Sequence, residues 1–261
     1  LQYVDVKIHG KVATVLMNDS QRCNTLGPRM IEDLQTAFSD IHQENRVRAV
    51  VLSGAGDHFC AGIDLSVLEQ IAKLPSSQAY SESFNAWQRF ADLLEMILRF
   101  PKPIIAAVDG AAVGAGLGLA LAADLMIVST SASLSAEAVR RGLVGGATAA
   151  LLSFRAGAAT AAKMLLTGES IDADEAYRRG LCEKPVSSDQ IWVAASDLAT
   201  RLGHAPREAV QATKRVLNET IGETLLIQIA AGIADSATAC STDAAKEGVA
   251  AFLEKRPPNF L

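Results

Sequence analysis

Two glycine-rich turns hold the residues of this 261-residue chain best suited to chemistry. One is "GAGDHFCAGIDL", Gly54–Leu65. The other lies within "PIIAAVDGAAVGAGLGLALAADL", Pro103–Leu125, and runs through Gly114, Gly116 and Gly118. Each follows an apolar run and precedes a helical pattern, and turns of that kind aim backbone N–H groups at an anion. A nucleotide phosphate is the first anion to consider. The glycines read G-A-G-L-G and not G-x-G-x-x-G, Asp124 comes too early to hold a ribose, and no Gly-Lys-Ser/Thr follows. The better-matched anion is charge building on a carbonyl oxygen. Two such turns in one α/β domain can face each other and give one N–H each to the same point, which makes an oxyanion hole. The small runs Cys60-Ala61-Gly62 and Gly114-Ala115-Gly116 suit that close approach. On spacing alone, two tight strand-to-helix turns are the simpler account.

Other chemistry-bearing residue types form no constellation. Cys23, Cys60, Cys182 and Cys240 lie far apart without a C-x-x-C pair, which argues against a disulfide framework or a zinc site. Such usage suits a reducing compartment, and a cytoplasmic location is expected. His9, His42, His58 and His204 show no ligand spacing, so no metal site is expected. With 24 basic and 29 acidic residues the net charge is −5, and no nucleic-acid partner is expected. The opening "LQYVDVKIHG" has neither an apolar core nor a small-residue cleavage site, so no secretion signal is expected there. The most apolar stretch, Ile104 to Val128, is broken by Asp109, Asp124 and glycines. It reads as strand, turn and buried helix, not as a membrane span.

The elements that must position the two turns can be read coarsely. "VATVLMN" (Val12–Asn18), "VRAVVLSGAG" (Val47–Gly56), "PIIAAV" and "LMIVS" read as strands. Ile31, Leu34, Phe38 and Ile41 stand at helical spacing, with Pro28 near the start where its missing N–H costs nothing. "DLSVLEQIAKL" is helical and breaks at "PSSQAYSES"; a second helix is expected from about Phe84 to Arg99. "GLGLALAADL" is a small-residue helix, "SAEAVRRG" a turn or short helix, and "ATAALLSFRAGAATAAKMLL" two helical pieces joined near Gly157. Strand-then-helix alternation argues α/β. After Ser187 the chain carries amphipathic helical runs without a convincing strand. It therefore divides into a core at 1–195 and a helical oligomerisation region at 196–261.

Five pieces, "HFCAGIDL", "PKPIIAAVDGAAVGAGLGLALAADLMIVS", "RRGLVGG", "LLTGESIDADEAYRRGLCEK" and "EGVAAFLEKRPPNF", occur in this order at suitable intervals. Together they resemble the crotonase, or enoyl-CoA hydratase/isomerase, superfamily along essentially the whole chain. The resemblance implies a spiral of ββα units with a C-terminal helical trimerisation region, and a homotrimer or a dimer of trimers. It implies an acyl-CoA as substrate or ligand, with no other cofactor, and the thioester oxygen held by the N–H groups of Ile63 and Ala115. Backbone around Ala61 and Leu65 would meet the adenine and pantetheine end of CoA. Phe252 and Lys255, in "AFLEKR", would close over CoA, in this family often from a neighbouring subunit.

The chain departs from the family where proton chemistry is done. Family hydratases use two glutamates; their positions fall on Gly118 and Ala138, and the family's Pro-Glu pair has become Glu137-Ala138. The aspartate of dienoyl-CoA isomerases falls on Gly146. A positioned acid or base contributes about 10²–10⁴-fold, so efficient hydration of a 2-enoyl-CoA is not expected. Three readings stand open. Another acid or base does the work, with Glu137 nearest. One residue's displacement along a helical turn rotates its side chain by about 100°, and pairing with Arg140 or Arg141 is the plainer role for it. His58, Glu82, Trp87, Arg89 and Glu95 are further candidates, each more simply a solvated or core residue, and Asp64 is more simply a helix-start carboxylate. Alternatively, the reaction needs only the oxyanion hole, as in a decarboxylation or a thioester cleavage. Finally, the protein binds acyl-CoA as a carrier or regulatory subunit, without chemistry.

Overall fold

A computed structural model describes residues 1–260 of the chain. An antiparallel hairpin opens it: β1 (Val4–His9) pairs with β2 (Val12–Met17) from Val4↔Met17 to His9↔Val12. Helix α1 (Pro28–Gln43) starts on its proline and buries Met30, Ile31, Leu34, Phe38 and Ile41. Then come β3 (Ala49–Gly54), α2 (Leu65–Ala72), α3 (Ser76–Arg99), β4 (Ile104–Val108), β5 (Ala111–Val113), α4 (Ala115–Ala122), β6 (Leu125–Val128) and β7 (Ser133–Ser135). A 3-10 turn at Glu137–Arg141 leads to α5 (Gly146–Ala156), α6 (Ala158–Thr167), β8 (Ser170–Asp172) and α7 (Ala173–Arg178). The remainder is helical: α8 (Ile191–Gly203), α9 (Arg207–Arg215), a π turn at Val216–Thr220, α10 (Glu223–Cys240) and α11 (Asp243–Leu253). Among the described residues no single helix is long and apolar enough to cross a membrane.

Two sheets result, ordered β1-β2-β3-β4-β6 and β5-β7-β8. The chain spirals between them. β4 joins the larger sheet, β5 the smaller, and α4 follows; β6, β7 and α5 repeat the pattern. Cys60 makes an isolated parallel bridge to Ala112, so β3, Cys60 and α2 form a looser first turn. This is the expected ββα unit. Strands β2, β3, β4 and β6 are parallel, and β4 is buried throughout, as a sheet covered on both faces requires. Alternate residues divide between the faces. Val50, Leu52, Ile104, Ala106 and Val128 join the main core, while Val51, Ile105, Ala107 and Ile127 pack with Ile191, Ala195 and Ala199 of α8.

Several boundaries differ from expectation. α3 starts at Ser76, not near Phe84: Pro75 sits at its N-cap, and the first turns carry an exposed polar sequence that gives no apolar period. β1, β5, β7 and β8 were not expected; the last three span three residues each, too short for a readable alternation. The division at 195/196 falls inside α8, which packs on the sheet as one continuous helix.

Past the end of α4, the polar groups are buried and answered. Asp124 accepts from Ile104 N (2.8 Å), Lys214 Nζ (2.7 Å) and Asn218 Nδ2 (3.2 Å). Lys214 also donates to the carbonyls of Ile97 and Lys102, each at 3.2 Å. Arg155 of α5 donates to Leu121 O (3.1 Å) and Ala123 O (3.0 Å), satisfying carbonyls that the end of α4 would leave orphaned.

Candidate active site

The two glycine turns meet. Gly62 has φ +94° and Gly114 φ +53°, values that side-chain-bearing residues rarely adopt. A Cβ at Gly62 would lie 2.6 Å from Val113 O and 3.5 Å from Ala115 N, so only glycine allows this approach. Reciprocal bonds lock the turns together: Cys60 N donates to Ala111 O (3.1 Å) and Val113 N to Cys60 O (3.0 Å). Gly116 belongs to the same contact, since a Cβ there would lie 2.3 Å from Cys60 O.

Ile63 sits in an isolated parallel bridge with Leu26. That bridge uses Gly62 O, which accepts from Leu26 N at 2.7 Å, and Asp64 N, which donates to Leu26 O at 3.3 Å. By the alternation of a bridged strand, the Ile63 N–H between them faces the other way. It has no acceptor among the described residues. Ala115 is the first residue of α4, where an N–H has no intrahelical partner, and its N–H also lacks one among the described residues.

Both residues line a cavity of about 200 Å³. Its inner walls are the buried Trp87 and Phe90 of α3, Leu143, and Ala147 and Thr148 of α5. Its outer rim carries two arginines, each with a carboxylate. Arg22 pairs with Asp64, which also caps α2 by accepting from Ser66 N at 3.1 Å. Arg141 pairs with Glu137 at 3.0 Å, and its guanidinium carbon lies 4.4 Å from the centroid of the Phe252 ring on α11.

Most residues singled out from sequence share this cavity, among them Ala61, Ile63, Asp64, Leu65, Ala115, Glu137, Ala138 and Phe252. Phe252 reaches the cavity of its own chain, since α11 packs against α2 and the 3-10 turn. Lys255, exposed just past α11, does not line it. Asp64 is the helix-start carboxylate expected, and Glu137 makes the plainer pairing expected, with Arg141 four residues on. Of the further acid-base candidates, Glu82, Arg89 and Glu95 are exposed on α3, away from the cavity. His58 is turned to the backbone, its Nδ1 accepting from Ala111 N at 3.4 Å. Trp87 alone of that group lines the cavity, with its indole N–H donating to Cys240 Sγ at 3.4 Å. The Cys60 thiol beside the turn is inert as a nucleophile, because complete burial pushes its pKa up to about 12.

Neighbours fill the space beside Gly118 and Gly146. A Cβ at Gly118 would lie 2.7 Å from Thr148 Oγ1 and 3.3 Å from Phe90 Cζ. A Cβ at Gly146 would lie 2.3 Å from Gly232 O of α10, leaving no room for the aspartate of the isomerases. Thr148 went unnoticed in the sequence. A lone threonine in an Ala-rich helical run gives no signal, and only the steric demand on Gly118 across the fold reveals it.

Comparison with known proteins identifies the family and the fold. The family model "Enoyl-CoA hydratase/isomerase" matches residues 7–261. A Thermus thermophilus protein named "Putative enoyl-CoA hydratase" is 35% identical over 251 residues, which cover 96% of this chain and 98% of the relative. The 1,2-epoxyphenylacetyl-CoA isomerase of Escherichia coli is 29% identical over 263 residues, covering 100% of this chain and 98% of the relative. A crystal structure of an enoyl-CoA hydratase from Mycobacterium avium superposes with a TM-score of 0.86 at 28% identity, covering 99% of each chain.

Proposed function

This chain belongs to the enoyl-CoA hydratase/isomerase family, and on that premise we propose that it is an acyl-CoA enzyme in which the N–H groups of Ile63 and Ala115 hold the thioester oxygen and stabilise an enolate. Its α/β spiral is the crotonase fold. One observation carries the proposal: two backbone donors without acceptors among the described residues belong to residues that line one cavity, whose inner walls are mostly apolar. Such preorganised donors act where charge develops, and losing one costs about 10²–10³ in kcat.

The same cavity argues against hydration of a 2-enoyl-CoA as the efficient reaction. Asp64 and Glu137 are its only carboxylates among the described residues, and each is engaged by an arginine. Nothing there activates water. A reaction that needs only a stabilised enolate, such as loss of CO₂ from a carboxylated acyl-CoA, fits the groups present. In this proposal CoA runs along the backbone of Ala61 and Leu65, with Phe252 and Lys255 over it. The engagement of both carboxylates also supports a second reading, an acyl-CoA carrier without turnover. Exposed Leu217, Ile221 and Ile227 support contacts between copies of the chain, with a homotrimer or a dimer of trimers as the form expected in a sedimentation experiment.

The test is a panel of enoyl-, malonyl-type and aryl-CoA esters assayed for binding by calorimetry and for turnover by loss of ester. Binding of several esters with little or no hydration of crotonyl-CoA is expected. Hydration at the rate of a good hydratase would overturn the mechanistic half. Ala115→Pro removes one donor N–H, so undiminished turnover in that variant would exclude Ala115 as a donor. Glu137→Gln asks whether that carboxylate handles a proton; unchanged turnover removes it from the chemistry. Binding of several esters with no turnover of any decides for the carrier.

A further inference from the structure

Resting on the oxyanion reading above, we propose that Thr148 is a positioning residue: its hydroxyl holds the Gly114 carbonyl so that the N–H of the same peptide unit, that of Ala115, points at the ligand oxygen. Thr148 lies on α5, buried in the cavity wall at 3% exposure. Its Oγ1 donates to Gly114 O at 3.2 Å across 34 residues of sequence. A trans peptide is planar, with C=O and N–H on opposite sides. Fixing the direction of the Gly114 carbonyl therefore fixes the direction of the Ala115 N–H.

The turn needs such a device. A Cβ placed at Gly114 would meet nothing within 4 Å, so no neighbour packs against that side of the residue. Its dihedrals, φ +53° and ψ −113°, are ones that glycine adopts with no side chain to pin them. Three hydrogen bonds hold it instead: Gly114 N to Ser135 O (2.8 Å), Gly118 N to Gly114 O (3.0 Å) and the Thr148 hydroxyl. Only the last comes from a side chain. Two donors on one carbonyl also polarise the amide and make its N–H a stronger donor. The Ile63 donor is held differently, by its bridge to Leu26, and has no such side-chain dependence. Thr148 is matched to Gly118 as well. The hydroxyl occupies the space into which any side chain at 118 would project, so the residue that orients the donor also keeps a carboxylate out.

The experiment uses butyryl-CoA labelled with ¹³C at its thioester carbonyl, a saturated ester, and reads the carbonyl stretch by infrared difference spectroscopy in the bound state. In the wild type the band is expected to move to lower frequency than in water. In Thr148→Val, which keeps the shape and removes the hydroxyl, about half of that displacement is expected to be lost, with affinity for free CoA within about two-fold. Thr148→Ser restores the displacement, and Thr148→Cys, with its weak S–H donor, falls between. Full displacement in Thr148→Val overturns the proposal and leaves the oxyanion reading standing. Absence of displacement in the wild type overturns the oxyanion reading, and this proposal with it. Should the valine variant fail to fold, the comparison of Thr148→Cys with the wild type decides: an unchanged band refutes the role, and a reduced one that Thr148→Ser recovers supports it.

Discussion

The two ends of helix α4 are built on opposite principles. At its start, glycines bring two turns into contact, and among the described residues no charged side chain caps the helix and the Ala115 N–H has no partner. Just beyond its finish, Arg155 takes the carbonyls of Leu121 and Ala123, while Asp124 is bonded by a backbone amide, a lysine and an asparagine. A helix favours a cation at its C-terminal end and an anion at its N-terminal end. Here the protein supplies the cation, and in the proposed function the ligand supplies the anion. Asp124, the one acid near the glycine-rich stretch, therefore serves the structure. The contrast shows how a fold keeps unpaired polar groups at one point: the opposite end of the same short helix is over-determined by bonds.

The sharpest way to break this contrast is at Asp124. Asp124→Asn leaves the Lys214 ammonium buried without its counter-charge, and a loss of about 3–5 kcal/mol is expected in denaturant unfolding. Butyryl-CoA affinity of the folded protein stays near wild type; a binding defect without instability would reverse the roles assigned to the two ends. Adding Lys214→Met removes the stranded charge, so the double variant is expected to regain part of the loss. The next effect belongs to the site. Gly62→Ala forces a Cβ against Val113 O at a positive φ, which costs about 1–3 kcal/mol, and spreading the two donors apart lowers butyryl-CoA affinity in calorimetry. Gly10→Ala, also at positive φ but with open space around it, is the control, and binding there stays unchanged.

Smaller still is Arg141→Ala. It removes a cation–π contact worth about 0.5–1 kcal/mol and an ion pair worth at most about 1 kcal/mol, so the melting temperature is expected to fall by a few degrees, and with Phe252 no longer held CoA affinity is expected to drop a few-fold. The smallest effect lies at the exposed C-terminus. Hydrogen bonds from Arg256 and from Asn259 N pull the Glu247 carboxyl from 4.5 down to about 2. A depressed carboxylate stabilises the folded form fully above its unfolded pKa and loses that contribution as pH falls through the folded one. Proteolytic release of the exposed segment from Arg256 onward is therefore expected to quicken as pH drops from 4.5 toward 2. Glu247→Gln removes this pH dependence.

How legible this was follows from where each signal lives. Long apolar periods were readable, and β2, β3, β4, β6 and α1 lie where the pattern put them. The start of α3 was not, because Ser76–Ser83 is mostly exposed and carries no apolar stripe until Phe84. β5 and β7 are strands only because the spiral brings three-residue segments together. β1 did carry an alternation, Val4, Val6 and Ile8, in a segment read only for targeting signals. The glycine turns were legible as turns, but their convergence was not, since contact between Gly62 and Val113 is a property of topology. Glu137 was placed near Arg141 by its spacing alone. Thr148 lay beyond reach, because its meaning depends on Gly114 and Gly118, about one spiral turn away.

The place of α11 in the cavity has a consequence for how the molecule is made. Phe252 lines the same cavity as Arg22, so the site joins residues more than two hundred positions apart. Synthesis delivers a chain from its N-terminus at about 5–20 residues per second. Both glycine turns are therefore made well before α11 exists. A chain stalled before Asp243 lacks the Phe252 and Leu253 part of the lining, so the pocket is complete only once α11 has been made and docked.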